Sequence, residues 1–312
     1  LDEFVIQGGA SWGIERPINI SFDISRSADI KHKGANSAAI EIYNLDRDRI
    51  AVLNQNSQNL HCTLSVGYDS FLSDVVLFSG DVKTVETRKS GTEYITQIQM
   101  GDGYATLKES NLKGYIPPGV TVGQALEQLR QQIPNLARGV FVGTNLNNPV
   151  SSGWRISGKA KDVLKKFCEA HRLEYTINNG VLNVTSVNMP TSANKDMATY
   201  IGPESGMIDI PFNAGPAPVS ARGDKRQRPR MQVKALLNPE VYPTQLIVVP
   251  IDGLDIVYRV ADVRYSGEFN GNDWIMELSC TEVEAGDLED VAANTMKPSK
   301  STIDYSQDNS IN

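Results

Sequence analysis

The 312 residues include only three histidines and three cysteines, and neither type is spaced for metal or disulfide chemistry. His32, His61 and His171 stand far apart, and no HExxH or HxH occurs, so no metal ligand set is legible. His171 falls at the end of a helical pattern, where the macrodipole favours a cation. Cys62, Cys168 and Cys280 are odd in number and lack CxxC spacing, which argues against a disulfide framework or a zinc site. Each lies in an apolar pattern and reads as a small buried hydrophobe. A GxSxG elbow, a P-loop and a strand-flanked GxGxxG are all missing, so neither a strained nucleophile nor a phosphate cradle can be assigned. Gly101-Asp102-Gly103 follows a strand end, where such a turn is expected anyway. No apolar run approaches the roughly 18 residues that span a bilayer. The opening LDEFVIQGG has neither the basic flank nor the apolar core of a signal peptide; it also starts without Met, so a processed or trimmed start stays open.

What is present is ordinary globular composition, with 40% hydrophobic and 21% charged residues, and this excludes wholesale disorder. The length allows two or three compact units, each with its own core. A formal net charge of −7 argues against a general nucleic-acid binder and leaves room for a local basic patch. The balance is that of a soluble protein of a reducing compartment.

The first hundred residues read as antiparallel strands. Ile18, Ile20, Phe22 and Ile24 alternate with polar neighbours, as do Ala38, Ile40 and Ile42. Leu60, Cys62, Leu64, Val66 and Tyr68 repeat the pattern, and so do Tyr94, Thr96, Ile98 and Met100. A period of two puts one face on a core and the other toward solvent. Turn-forming residues separate the runs, Lys89-Ser90-Gly91-Thr92 among them, and such spacing indicates a sandwich or barrel.

After Gly119 the period changes. Thr121 and Gln124 have the form of a capping box, and Val122, Ala125, Leu126, Leu129 and Ile133 recur at helical spacing until Pro134. A second helix follows Ser157-Gly158, with Ala160, Val163, Leu164, Phe167 and Cys168 on one face. Leu173, Tyr175 and Ile177 then alternate into Asn178-Asn179-Gly180, a strong hairpin signal because Asn-Gly accepts positive φ at both central positions. Residues 188–230 hold six prolines and several glycines, the composition of a crossing linker with extended pieces. Strand patterning returns with Met231, Val233, Ala235 and Leu237 and ends with Trp274, Met276, Leu278 and Cys280.

The expected fold is mainly β with an α+β insertion: two tube-like antiparallel β-barrel modules flanking a small α+β domain. The boundaries run 1–105 for the first module, 106–187 for the insertion, 188–230 for the linker and 231–285 for the second module. Residues 286–312 form a polar tail expected to be disordered unless a partner binds it. The two β regions also echo one another. Val82 and Val85 precede YITQIQM (94–100), and Val260 and Val263 precede WIMELSC (274–280), which suggests an internal repeat.

Two charge clusters remain. Glu282 and Glu284, with Asp287, Glu289 and Asp290, supply carboxylates that a hydrolase would need to hold across a cleft; in a polar tail they read as solvated surface. ARGDKRQRPR (221–230) gathers Arg222, Lys225, Arg226, Arg228 and Arg230 against Asp224 alone. It reads either as a solvated loop or as an arm or pore-lining loop that meets an acidic surface or passing nucleic acid. No aromatics interleave with these charges, so base stacking is not expected there.

The segment INISFDISRS…NSAAIEIYNLDRDRI (18–50) resembles the opening of phage baseplate hub proteins, with Asn36, Ile40, Ile42, Tyr43, Asn44 and Leu45 in the family's order. LSVGYDS (64–70), LFSGDVKTVETRKSGTEYITQIQMGDG (77–103), VKALLNPEVYPTQLIVV (233–249) and YRVADVRYSGEFNGNDWIMELSC (258–280) continue the resemblance in sequence. Pro243-Thr244 departs from the Pro-Gly of many relatives and puts that turn in question. The resemblance implies a structural virion protein rather than an enzyme, without cofactor or metal. It would be a homotrimer at the end of a tail tube, favouring a contractile tail and related to spike-bearing proteins of type VI secretion. Such hubs join the sixfold tube to the threefold central spike and touch the tape-measure protein and other baseplate subunits. Their lumen passes DNA. Three alternatives stand beside it: a tube-initiator or distal-tail ring protein, a carbohydrate-binding adhesin using Trp12, Trp154 or Trp274, and a hydrolase with a cryptic carboxylate pair.

Overall fold

The computed structural model describes residues 5, 6, 8, 18–28, 36–56, 60–68, 72–102, 104–216 and 229–296. The alternating runs of the first hundred residues are β1 (Ile20–Ser27), β2 (Ser37–Tyr43), β3 (His61–Tyr68), β4 (Leu72–Ser90) and β5 (Glu93–Gly101). Between β2 and β3 lies α1 (Arg47–Asn56), started by the Asp46 carboxylate, which accepts the Arg49 amide at 2.8 Å. Next come α2 (Tyr104–Glu109), β6 (Asn111–Ile116), α3 (Val122–Gln131), β7 (Ala137–Val142), β8 (Trp154–Lys159), α4 (Ala160–Ala170), β9 (Leu173–Asn178) and β10 (Val181–Ser186). The chain continues through β11 (Thr199–Tyr200), β12 (Phe212–Pro216), β13 (Pro229–Leu236), β14 (Leu246–Ile251), β15 (Leu254–Glu268) and β16 (Trp274–Glu282). It finishes its described course with α5 (Ala285–Ala293) and β17 (Thr295–Met296).

Eleven strands form one sheet, ordered β12-β13-β16-β15-β1-β2-β5-β4-β3, with β14 attached to β15 and β11 to β14. This corrects the expectation of two β-barrels. The path does not close, and the antiparallel pairing of β1 with β15 fuses both β regions into a single sheet. Apolar side chains from both ends of the chain therefore meet in one core. Phe22, Ile24, Ile40, Ile98 and Met100 share it with Val233, Ala235, Val260, Val263, Leu278 and Cys280.

The two halves of the sheet nevertheless have the same design. The first half runs β1-β2-β5-β4-β3, and the second runs β12-β13-β16-β15-β14. Each contains a β-bulge at the same place. In the first, Val82 faces Met100 and Thr84 faces Gln99, leaving Lys83 as the extra residue. In the second, Val260 faces Cys280 and Asp262 faces Ser279, leaving Ala261 extra. Beyond the bulge Val85 faces Ile98 as Val263 faces Leu278. An extra residue breaks the ladder and sharpens local twist, so its recurrence in both halves is a structural signature of the repeat that the two hairpin sequences suggested.

A second core draws on residues from Leu107 to Val184. Its sheet is ordered β17-β7-β10-β9, and a β6-β8 ribbon lies apart from it. The capping box forms as the spacing predicts: Gln124 N–H donates to Thr121 Oγ1 and Thr121 N–H to Gln124 Oε1, both at 3.2 Å. α3 buries Val122, Ala125, Leu126 and Leu129, while α4 buries Ala160, Val163, Leu164, Phe167 and Cys168. Burying such aliphatic and aromatic side chains contributes roughly 1.5–3 kcal/mol each, which fixes both helices on this sheet.

The stretch beginning at 286 differs from expectation in its first part. Leu288 and Val291 are buried in α5, and β17 pairs with Phe141 and Val142 of β7. Residues 297–312 lie outside the described residues. The linker region also folds back, because β11 pairs with β14 and β12 with β13, and Ile201 is buried.

Candidate assembly surface

The two cores meet through polar groups, and the Asn-Gly turn is the centre of that contact. Asn179 (φ 52°) and Gly180 (φ 77°) both take positive φ, as the turn chemistry predicts. The Asp102 carboxylate, at the end of β5, accepts both amides, from Asn179 at 2.5 Å and from Gly180 at 3.0 Å. Asn36 donates to the Ile177 carbonyl at 2.5 Å, and Thr176 Oγ1 donates to the Ser27 carbonyl at 3.0 Å. Asn179 Oδ1 accepts from the Ser79 amide at 3.1 Å and from Arg26 at 2.9 Å. The Arg26 guanidinium, buried, also donates to the Leu77 carbonyl and lies 5.2 Å from the Phe78 ring centre and 4.9 Å from that of Tyr242. Burial pushes the Asp102 carboxyl up to about 6, against the pull of the Gly180 amide, the Arg26 charge and the Asn179 amide. From the second half of the sheet, Arg259 reaches Glu174 of β9 at 2.8 Å in an almost fully buried ion pair and donates to the Met189 carbonyl at 2.9 Å.

The edges of the sheet repeat less evenly than its interior. On the side of β15 away from β16, β14 covers Leu254–Arg259 and β1 covers Asp262–Glu268. On the matching side of β4, β3 covers the strand only as far as Asp81. Among the described residues no strand covers Thr84–Ser90 on that side, and residues 86–90 are exposed. At the far end of the path no strand among the described residues covers the outer edge of β12 either. Apolar side chains surround it: Ile210 is 89% exposed and Phe212 62% exposed. A groove of about 300 Å³ beside them is lined by Met207, Ile208, Ile210, Pro211 and Ile251. Open edges and exposed apolar residues on one border are features that proteins usually cover with a partner.

No family model matches the sequence, and no curated protein does either. Solved structures do. A tail protein from Neisseria meningitidis MC58 aligns over 87% of this chain and 94% of its own length, with a TM-score of 0.58 and 12% identity. The 43 kDa tail protein of prophage MuSo2 from Shewanella oneidensis aligns over 87% and 97%, with a TM-score of 0.55 and 11% identity. The E. coli c3393 protein aligns over 87% and 76%, with a TM-score of 0.59 and 11% identity. It is a component of the type VI secretion system with structural similarity to the T4 bacteriophage tail proteins gp27 and gp5. The fold is that of phage tail proteins.

On this tail-protein fold the sequence-predicted residues scatter. Arg222, Lys225, Arg226 and Arg228 lie outside the described residues. Arg230 lies opposite Thr281 in β13, donates to Ser279 Oγ at 3.3 Å and stands 3.7 Å from Asp262. Asp287 is buried as the third residue of α5 and accepts the Glu284 amide at 3.0 Å, so it serves a helix cap. Trp274 packs edge-on against Phe22 and Tyr68, and Trp154 lies tilted against Phe167 with ring centres 4.9 Å apart, so both rings are engaged in packing; Trp12 lies outside the described residues. The macrodipole account of His171 needs correction. Its ring stacks 4.5 Å from Phe167, and burial lowers its pKa, which opposes a charge at the helix end. All three cysteines are free, and burial pushes the Cys62 thiol up to about 11. Asp102 was readable only as part of a turn. Its clasp role had one sequence signal, an Asp just after an alternating strand, which does not name the distant Asn-Gly turn it binds.

Proposed function

We propose that this chain is a structural subunit of a tail baseplate: a trimeric hub that joins a sixfold tail tube to a threefold central spike. The observation that carries this reading is the duplicated five-stranded unit within one chain. Three copies of a chain with two equivalent units supply six equivalent units around one axis, the match a threefold body needs to meet a sixfold ring. The tube-like character of the two units, the homotrimer and the contacts with tube, spike, tape-measure protein and other baseplate subunits all belong to this proposal. So does its place in a virion with a contractile tail. Supporting it are the fold shared with tail proteins and the open borders of the sheet. The lumen would line the path of the tape-measure protein and DNA, and an acidic chain of net charge −7 would hold phosphate weakly there. Arg222, Lys225, Arg226, Arg228 and Arg230 would then form a local basic contact with an acidic neighbour or with the passing DNA.

Light scattering of the purified protein over a range of concentrations tests the reading. A particle of three times 34.2 kDa is the expected result. A stable particle of six copies would favour a tube-initiator or distal-tail ring protein. A single-copy mass throughout would remove the support that the duplicated unit gives to a hub.

A further inference from the structure

We infer that β12 of one copy pairs antiparallel with Thr84–Ser90 of β4 in the next copy, repeating between chains the β1–β15 contact that each chain makes internally. The inference rests on the trimeric reading and specifies its interface.

The argument is one of equivalence. Within the chain, β1 joins the halves by lying on Asp262–Glu268, with Asp23 opposite Ser266, Ile24 opposite Tyr265 and Ser25 opposite Arg264. The shared bulge fixes which residues of β4 correspond. Val85 matches Val263, so Glu86, Thr87 and Arg88 match Arg264, Tyr265 and Ser266. That stretch is the part of β4 left uncovered among the described residues. The strand corresponding to β1 is β12, since β1 pairs with β2, which pairs with β5, while β12 pairs with β13, which pairs with β16. Through these ladders Ile24 corresponds to Asn213, because Ala38 matches Met231 across from Met100 and Cys280. The covering strand and the covered strand each have an equivalent whose edge no described strand covers, and these two edges lie in different units of one chain. Among the described residues, one copy therefore has both halves of a contact that a second copy would complete.

Carrying the register over places Phe212 opposite Arg88, Asn213 opposite Thr87 and Ala214 opposite Glu86. The chemistry of these pairs fits. Phe212, 62% exposed, would receive the Arg88 guanidinium on its face, and the neighbour's β4–β5 turn with exposed Tyr94 would lie toward the groove lined by Met207, Ile208 and Ile210. Pro211 and Pro216 bracket β12, and Gly215 N–H is already used by Asn213 Oδ1 at 2.8 Å, so the ladder is short. An edge blunted in this way resists unrelated strands, which directs it to the one partner whose side chains also match. The contact is head-to-tail rather than self-complementary, so it propagates from copy to copy, and a rotation of one third of a turn per copy closes it as the proposed trimer.

Disulfide trapping tests this directly. In the full chain with Cys62→Ser, the pairs Thr87→Cys/Asn213→Cys and Glu86→Cys/Ala214→Cys are made, and circular dichroism checks that each variant folds. After mild oxidation, non-reducing gels should show covalent dimers and trimers for at least one double variant. Mixing the two single variants of that pair should give dimers and nothing larger, because each contact then has one half-site per chain. A particle of three-copy mass that links at neither pair overturns this interface and leaves the hub reading standing. A single-copy or six-copy mass by light scattering overturns both together.

Discussion

The two five-stranded units share strand order and bulge, yet they differ in what they do with their edges and in how they hold the insertion. In the second unit the long strand β15 is covered by β14 and β1 along one side, whereas in the first, among the described residues, β3 alone covers the matching strand β4 and only over part of its length. The second unit grips the insertion with the buried Arg259–Glu174 ion pair. The first grips it with the Arg26 guanidinium, neutral hydrogen-bonding groups and one carboxylate gathered around the Asn-Gly turn. A duplicated fold therefore supplies equivalent frames, and side chains at the frame's borders decide which borders stay inside the chain and which face outward.

The sharpest break in this comparison is expected at the ion pair. Glu174→Ala leaves the Arg259 charge buried without its carboxylate and should cost about 3–5 kcal/mol in urea unfolding. Replacing both partners by apolar residues should recover much of that loss, since no unpaired charge remains. At the seam between the units, Ile24 and Tyr265 face one another and both are fully buried. Ile24→Ala should cost about 2–5 kcal/mol, read as a lower denaturation midpoint with unchanged slope.

The first unit's grip should show itself in pH dependence. Asp102 has its pKa raised from 3.8 to about 6, so between these values the folded chain binds more protons than the unfolded one. Stability from this group therefore falls as pH rises from about 4 to about 6 and stays at its lower level above that. The change is on the order of 2–3 kcal/mol. Asp102→Asn should flatten this window in urea titrations at several pH values, and an unchanged slope would assign it to other groups.

Smaller effects compare equivalent or unusual positions. Thr244 adopts φ 75°, a left-handed conformation that disfavours a β-branched residue. Its amide donates to the Val260 carbonyl at 2.8 Å and its carbonyl accepts from the Thr191 amide at 3.0 Å, which holds it there. Thr244→Gly should raise stability by about 0.5–1 kcal/mol in thermal melts, the relief of strain outweighing the entropy of a glycine. Arg264 and Glu86 occupy matching positions, but among the described residues only Arg264 has a second strand beside it, β1, where its Nε donates to Asp23 at 2.9 Å. Arg264→Ala should cost about 0.2–1 kcal/mol, as exposed pairs do, and Glu86→Ala close to nothing in the unassembled chain.

Much of the local fold was legible because it is encoded by short-range physics. Alternation marked Phe22, Ile24, Ile40 and Ile98 as inward-facing, and helical spacing marked the buried faces of α3 and α4. Thr121 with Gln124, and Asn179 with Gly180, adopt the capping and turn geometries that their chemistry favours. The polar composition after 285 misled, because Leu288 and Val291 suffice to dock a short helix when a waiting surface exists nearby. Two closed barrels also did not follow from alternation. A period of two gives a strand its faces, while its neighbours depend on which edges meet.

By itself, the sequence determined most of the elements, their inward faces and the turn chemistry, since each depends on residues within about ten positions of one another, and matching hairpins gave the trace of a repeat. Only the tertiary structure decided that β1 would cross to β15, that Asp102 would hold a turn 77 residues away, and that no described strand would cover the outer edge of β12 or the far part of β4. Those outcomes depend on backbone hydrogen bonds and buried polar partners, which any sequence can offer and only a folded arrangement assigns.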